Sequence, residues 1–224
     1  KSVTIAKDIS NESAVQIREQ NAKLAGMNVV TEPTVKYTSG NLASHVLGYV
    51  AAINEQEYET RKDTYRNDDV IGKSGIQYVF EEYLKGTDGI KQVDMTVDGA
   101  ITNEYISEEA ISGSDVILTI DANLQKVAED ALETNIKNIQ KGKYGEKNDA
   151  DSGAVVVMNV KTGEVLALAS YPDYNPAKFS EEYTEDNSGR YTNRAISSTQ
   201  PPGSTFKMAV ATAALEEGVI TPNT

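Results

Sequence analysis

Apolar positions along the chain are loosely patterned up to about residue 112 and cleanly patterned from Gly113 onward. In the loose half, Ser10-Asn11-Glu12-Ser13 reads as a helix start; Ala14, Ile17, Ala22 and Leu24 give a thin apolar stripe and Gly26 a stop. Val29-Val30 and Thr34-Val35-Lys36-Tyr37 are short β-like pieces around Pro33. Residues 42–47 read as a second helix closed by Gly48, and the polar residues 54–69, with Tyr58 and Tyr65, as a helix or a surface loop. Ile76, Val79, Phe80, Tyr83 and Leu84 then fall at helical spacing before Gly86. Residues 91–97 alternate as a strand, Asp98-Gly99 signals a turn, and residues 101–106 are the candidate partner strand.

In the clean half, residues 115–120 read as a short apolar strand and Asp121 as a helix N-cap. The helix that follows carries Leu124, Val127, Ala128, Ala131, Leu132 and Ile139 on one face, and residues 141–152 read as an exposed loop. Residues 153–160 and 164–170 form the clearest hairpin in the chain, turning at Lys161-Thr162-Gly163. Both of its strands are apolar on both faces, which predicts a sheet covered on both sides. Pro172 opens a long polar stretch that runs to Asn193. Pro202 and Gly203 punctuate the chain again, good helix formers run from Lys207 to Glu217, and Gly218 and Pro222 mark the stop.

Composition narrows the function. The chain has 224 residues, enough for one large domain or two modest ones, with 39% hydrophobic residues to build a core. Its formal net charge of −13 argues against a nucleic-acid partner, because phosphate binding needs a basic face. The absence of cysteine excludes disulfides, thiolate metal sites and a cysteine nucleophile. A single histidine excludes a multi-histidine metal site, and no cofactor or metal is expected. No apolar run reaches membrane-spanning length, and the first residues carry no signal-peptide pattern.

The chemistry-bearing stretch is Pro202-Gly203-Ser204-Thr205-Phe206-Lys207, placed at the start of the last helix. Ser204 and Lys207 lie one turn apart on the same face. A serine hydroxyl needs a base to act as a nucleophile, and a lysine becomes one when burial and neighbouring charge depress its pKa. The helix N-terminus supplies N–H groups for developing negative charge. Taken alone, the same four residues also read as an ordinary serine N-cap followed by a surface lysine.

Competing motifs carry less. Gly72-Lys73-Ser74 resembles the end of a phosphate-binding loop, but position 67 is Asn where that motif needs Gly. His45 lies beside Val46 and Leu47 and reads as a packed structural histidine. Lys161-Thr162-Gly163 is explained by its hairpin turn. The pairs Glu81-Glu82, Glu108-Glu109 and Glu181-Glu182 read as solvated faces.

Several blocks in order resemble class B penicillin-binding proteins, the monofunctional peptidoglycan transpeptidases. Asn193-Arg194-Ala195-Ile196 followed by Pro202-Gly203-Ser204-Thr205-Phe206-Lys207 resembles the N-R-A and P-G-S-T-F-K blocks of that family. Ser152-Gly153-Ala154-Val155-Val156-Val157 through Ala167-Leu168-Ala169-Ser170, with Tyr171-Pro172 and Asn175-Pro176 after it, resembles the first hairpin of the transpeptidase domain. Leu118-Thr119-Ile120-Asp121 resembles the start of that domain. Ala43 to Val50, Ile71 to Ile76 and Tyr83 to Gly86 resemble the non-catalytic pedestal, or dimerisation domain.

The resemblance implies an α+β chain: a mixed pedestal domain at 1–112, then at 113–224 the N-terminal part of a penicillin-binding transpeptidase α/β domain. It implies a peptidoglycan D,D-transpeptidase in which Ser204 is the nucleophile, Lys207 the general base and the Ser204 backbone N–H half of an oxyanion hole. The implied ligands are D-Ala-D-Ala stem peptides and β-lactams. The implied partners are a second copy or other cell-wall-synthesis proteins, met through the pedestal. The implied location is the extracytoplasmic face of a bacterial membrane, with an anchor outside this chain. Residues 208–224 contain neither the Ser-x-Asn nor the downstream Lys-Thr-Gly of the family, so the chain is expected to be an internal fragment, inactive alone. The alternative is a non-catalytic pedestal module that binds or scaffolds cell-wall-synthesis partners; an acyl sensor or β-lactamase relative fits less well, lacking pedestal blocks.

Overall fold

The computed structural model describes residues 4–20, 23–24, 26–32, 34–97, 101–179, 183 and 189–224. The chain forms two compact units, Lys1–Thr119 with Tyr174–Glu185, and Ile120–Asp173 with Asp186–Thr224.

The first unit begins with α1 (Asn11–Glu19), whose Ser10 N-cap accepts the Ser13 N–H at 3.1 Å. It ends well before Gly26 and buries no residue. No strand forms over residues 29–30 or 34–37: Val30 and Val35 are exposed, and among the described residues no partner strand meets them. α2 (Ser44–Leu47) stops at Gly48, as the sequence suggests. Two strands that the residue pattern does not announce follow, β1 (Val50–Ala52) and β2 (Val70–Gly72), paired antiparallel with Ala51 opposite Ile71. At three residues each they are too short to show alternation.

Between them the polar stretch holds α3 (Glu55–Glu59), started by a capping box. Asn54 Oδ1 accepts the Glu57 N–H at 2.9 Å and Glu57 Oε2 accepts the Asn54 N–H at 2.8 Å. The same Glu57 carboxylate pairs with Lys73. The helix expected from Ile76 is two short ones, α4 (Gly75–Val79) and α5 (Glu81–Lys85), hinged at Phe80. β3 (Ile90–Met95) and β4 (Ile101–Glu108) pair antiparallel as expected; their Asp98-Gly99 turn lies outside the described residues.

The core of this unit gathers Ile71, Ile53, Ala43, Ser44 and His45 with two aromatics from much later in the chain, Tyr174 and Phe179. Tyr174 donates its hydroxyl to the Ser44 carbonyl at 3.0 Å and meets the His45 ring edge-on. Phe179 stacks on Tyr49. The stretch after Pro172, polar by composition, thus contains a packed segment with a 3-10 turn at Pro176–Lys178. A close backbone crossing holds the sequence-adjacent pieces together. A Cβ on Gly48, at φ +79°, would sit 1.9 Å from the Ser74 carbonyl oxygen. Only glycine fits there.

In the second unit, Asp121 Oδ1 accepts the Leu124 N–H at 2.8 Å and starts α6 (Ala122–Gln140). The strand expected just before it does not form. Residues 116–120 alternate in burial, but among the described residues no strand pairs with them, and Ile117 is 94% exposed. β5 (Gly153–Met158) and β6 (Val165–Tyr171) make the expected hairpin, with Val157 opposite Ala167 and Val155 opposite Ala169. Ala128, Ala167 and Ala169 form its core, with Leu124, Leu132, Val155 and Val157 packed around them. The buried face of α6 is rotated from the expected one: Gln125 and Ile136 are buried, while Val127 and Ala131 face solvent. Gln125 is fully buried because its amide pairs with a backbone; Nε2 donates to the Leu168 carbonyl at 2.9 Å and Oε1 accepts the Leu168 N–H at 2.7 Å. Coverage on both faces of the hairpin is not found: Ala154, Val156 and Met158 lie open among the described residues, because α6 covers one face only.

Two measurements follow from these contacts. Gln125→Leu keeps the volume but leaves the part-buried Leu168 N–H and carbonyl without this partner, so urea unfolding is expected to show a loss of about 2–4 kcal/mol. Tyr65 donates to Glu81 Oε1 at 3.0 Å, and burial, then that carboxylate, push its pKa from 10.0 to about 12. A raised folded-state pKa gives stability that is complete below the unfolded value and lost as pH climbs through the folded one. Unfolding free energy is therefore expected to fall more steeply between pH 10 and pH 12 in the wild type than in Tyr65→Phe.

Candidate active site

The candidate nucleophile lies at the end of a segment that is pinned before it is functional. After Gly189 the chain turns, with Thr192 N–H donating to the Gly189 carbonyl at 3.0 Å. Arg194 Nη1 donates to the same carbonyl at 2.9 Å. A short helix α7 (Arg194–Ser197) follows. Ser170, at the end of β6 and 4% exposed, donates its hydroxyl to the Thr192 carbonyl and accepts the Arg194 N–H, both at 3.1 Å. Residues 198–202 then run without regular structure to a 3-10 turn at Gly203–Phe206, which leads directly into α8 (Lys207–Glu216).

Gly203 opens that turn at φ +55°, and the Thr205 N–H and hydroxyl both donate to the Pro202 carbonyl. Ser204 therefore sits in the 3-10 turn, one step before the α-helix, and Lys207 is the first α-helical residue. Among the described residues the Ser204 N–H has no intramolecular acceptor, which is the condition of an orphan donor at a helix start. Ser204 and Lys207 are both exposed. So is the whole of α8 apart from half-buried Ala214, with Met208 81% exposed. Gly218, at φ +66°, ends the helix, its N–H donating to the Leu215 carbonyl at 3.1 Å.

The remaining candidates take structural places. His45 is buried in the first unit against Tyr174. Lys73 is engaged by Glu57, and the backbone of Gly72 donates to Glu81 Oε2 at 2.9 Å, so no phosphate cradle forms from these residues. Lys161-Thr162-Gly163 is the hairpin turn: Gly163, at φ +78°, donates its N–H to the Asn159 carbonyl at 2.8 Å. Glu81 is bonded within its unit, and the Glu181-Glu182 pair lies outside the described residues. No cluster of three or more acidic, histidine or cysteine side chains suited to a metal occurs among the described residues. None of their helices is long and apolar enough to cross a membrane. Ser170 is the residue that sequence reasoning passes over. Its one signal is a hydroxyl closing the apolar run Leu166-Ala167-Leu168-Ala169.

Comparison with known proteins places this geometry. Residues 1–118 match the penicillin-binding protein dimerisation domain, and residues 153–224 the penicillin-binding protein transpeptidase domain. The peptidoglycan D,D-transpeptidase MrdA of Acinetobacter baumannii is 31% identical over 227 residues, covering 97% of this chain and 31% of that protein. A chain from a peptidoglycan synthase complex, described as coordinating polymerization and crosslinking, superposes with a TM-score of 0.72 at 32% identity over 96% of this chain and 38% of its own. The penicillin-binding protein PBP2 of Helicobacter pylori, solved in complex with MreC, gives a TM-score of 0.63 at 28% identity over 84% of this chain and 34% of its own. The chain spans about a third of the length of the curated relatives it matches.

The exposure of α8 has a direct readout. In hydrogen exchange on the 224-residue chain, amides of residues 207–216 are expected to exchange faster than those of α6 and β6, which are held by tertiary packing.

Proposed function

The chain belongs to the penicillin-binding proteins, and from that premise we propose that the whole protein is a serine-type peptidoglycan D,D-transpeptidase of cell-wall synthesis. One observation carries the reading. Ser204 and Lys207 stand together at the junction of a 3-10 turn and a helix, inside the part of the chain that matches the transpeptidase domain.

In this reading Ser204 Oγ attacks the carbonyl of the penultimate D-Ala of a stem peptide while Lys207 Nζ takes its proton. The orphan Ser204 N–H donates to the oxygen that gains charge in the tetrahedral intermediate. Collapse expels the terminal D-Ala, whose amine takes up a proton, and leaves an ester on Ser204. The amine of a second stem peptide attacks that ester, frees the hydroxyl and forms the cross-link. β-Lactams acylate the same oxygen by opening their ring. The first unit acts as the pedestal, which pairs with a second copy or with another cell-wall-synthesis protein, as the solved assembly of a relative with MreC suggests. The site then faces the extracytoplasmic side of the membrane, with the anchor carried outside this chain. A second reading, a pedestal module without catalysis, is favoured by the first unit alone, since the dimerisation match covers residues 1–118.

Labelling with a fluorescent penicillin separates the two. In the full-length protein Ser204→Ala is expected to abolish labelling, and Lys207→Ala to slow acylation by about 100- to 10,000-fold, the range for loss of a general base. The 224-residue chain alone, with Lys207 exposed and no Ser-x-Asn or Lys-Thr-Gly downstream of it, is expected to take no label. Wild-type labelling of Ser204→Ala would overturn Ser204 as the nucleophile, and a full-length wild type that takes no label would leave only the pedestal reading standing.

A further inference from the structure

We propose that Ser170 is a positioning residue for the nucleophile: its hydroxyl closes the loop through which the chain returns to the second unit and sets the register of the run into Ser204. This rests on the reading of Ser204 as the nucleophile.

The chain leaves the second unit after Asp173, contributes Tyr174 and Phe179 to the core of the first, and is back in the second by Gly189. Whatever re-enters after such an excursion has to be fixed again, because closing a long loop costs entropy that local contacts must offset. The second unit does this with few bonds. Ser170 Oγ uses its donor on the Thr192 carbonyl and its acceptor on the Arg194 N–H, so one hydroxyl holds both sides of the Asn193 N-cap. Arg194 Nη1 ties back to Gly189. Being buried, the hydroxyl is shielded from water that would compete for these bonds. α7 starts at this clamp, and the catalytic turn begins nine residues beyond Arg194.

Ser170 touches no reacting atom in this scheme. It acts through the placement of Ser204, and a misplacement on the order of 1 Å far from the chemistry can cost about 100-fold in rate. The readout is therefore the acylation step, separated from penicillin binding and from folding.

In the full-length protein, acylation by a fluorescent penicillin is followed over time at several concentrations, giving the saturating rate and the half-saturation concentration separately. Ser170→Ala is expected to lower the saturating rate about 10-fold or more with the half-saturation concentration unchanged, and Ser170→Thr, which keeps the hydroxyl, to restore most of it. A second pair of variants removes the other half of the clamp should Ser170→Ala not fold. Arg194 is the first residue of α7, where proline is tolerated, so Arg194→Pro deletes the N–H that Ser170 accepts. Arg194→Pro is expected to acylate several-fold more slowly than Arg194→Ala, which loses only the side chain. A wild-type saturating rate in Ser170→Ala, or equal rates in the two Arg194 variants, overturns this proposal alone. A smaller labelled fraction at an unchanged rate shows a purely structural residue and overturns it as well. Label retained in Ser204→Ala overturns the nucleophile reading, and this proposal with it.

Discussion

A strand at the end of a sheet has to find partners for half of its backbone groups, and β6 finds them in a helix. Leu168 turns its N–H and carbonyl away from β5, and the side-chain amide of Gln125 pairs with both, as a neighbouring strand would. Two residues earlier the Leu166 carbonyl accepts the Asp121 N–H at 2.9 Å, at the cap of the same helix. The edge of β6 is thus closed by the start of α6, which protects it from pairing with another chain. α6 can lie only one way against β6 once these bonds form. The alanines at 128, 167 and 169 follow from that, since a helix bonded so near the sheet leaves no room for larger side chains.

The first unit solves a different problem. Its regular elements are short, so a core made only of neighbouring residues would be thin. Tyr174 and Phe179 supply the missing volume from a distance in sequence. Their rings pack against His45 and Tyr49, and the Tyr174 hydroxyl donates to the Ser44 carbonyl. A segment that looks like a polar linker therefore belongs to a core. Its departure is also what makes the Ser170 clamp necessary at the other end of the excursion.

What was legible in the sequence was whatever is decided locally. The Ser10 and Asp121 caps, the Gly48 and Gly218 stops, the Lys161-Thr162-Gly163 turn and the β5–β6 hairpin it closes all depend on residues near one another in the chain. The misreadings share the opposite property. Residues 115–120 read as a short apolar strand, and a strand exists only where a partner completes its ladder. β1 and β2 are too short to alternate and exist only because they meet across seventeen residues of loop and helix. Gln125 was passed over because a glutamine at an inward position reads as polar; its burial depends on Leu168, forty-three residues away. The family resemblance carried the site further than the residue pattern could, since ordered blocks constrain one another where single motifs do not.

The same distinction runs through the candidate site itself. The nucleophile half is local: a glycine able to take φ +55°, a proline carbonyl that anchors Thr205, and a helix start whose first N–H groups have no partner by construction. Seven residues are enough to specify it. The base half is not local. A lysine becomes a base through desolvation and neighbouring charge, and neither can be written into a four-residue motif. α8 has the composition of a helix meant for an apolar surround, with Met208, Val210 and Leu215 on different sides, yet the described residues leave it open. The turn that carries Ser204 is therefore formed by its own sequence and positioned from Ser170, whereas Lys207 depends for its chemistry on what surrounds that helix.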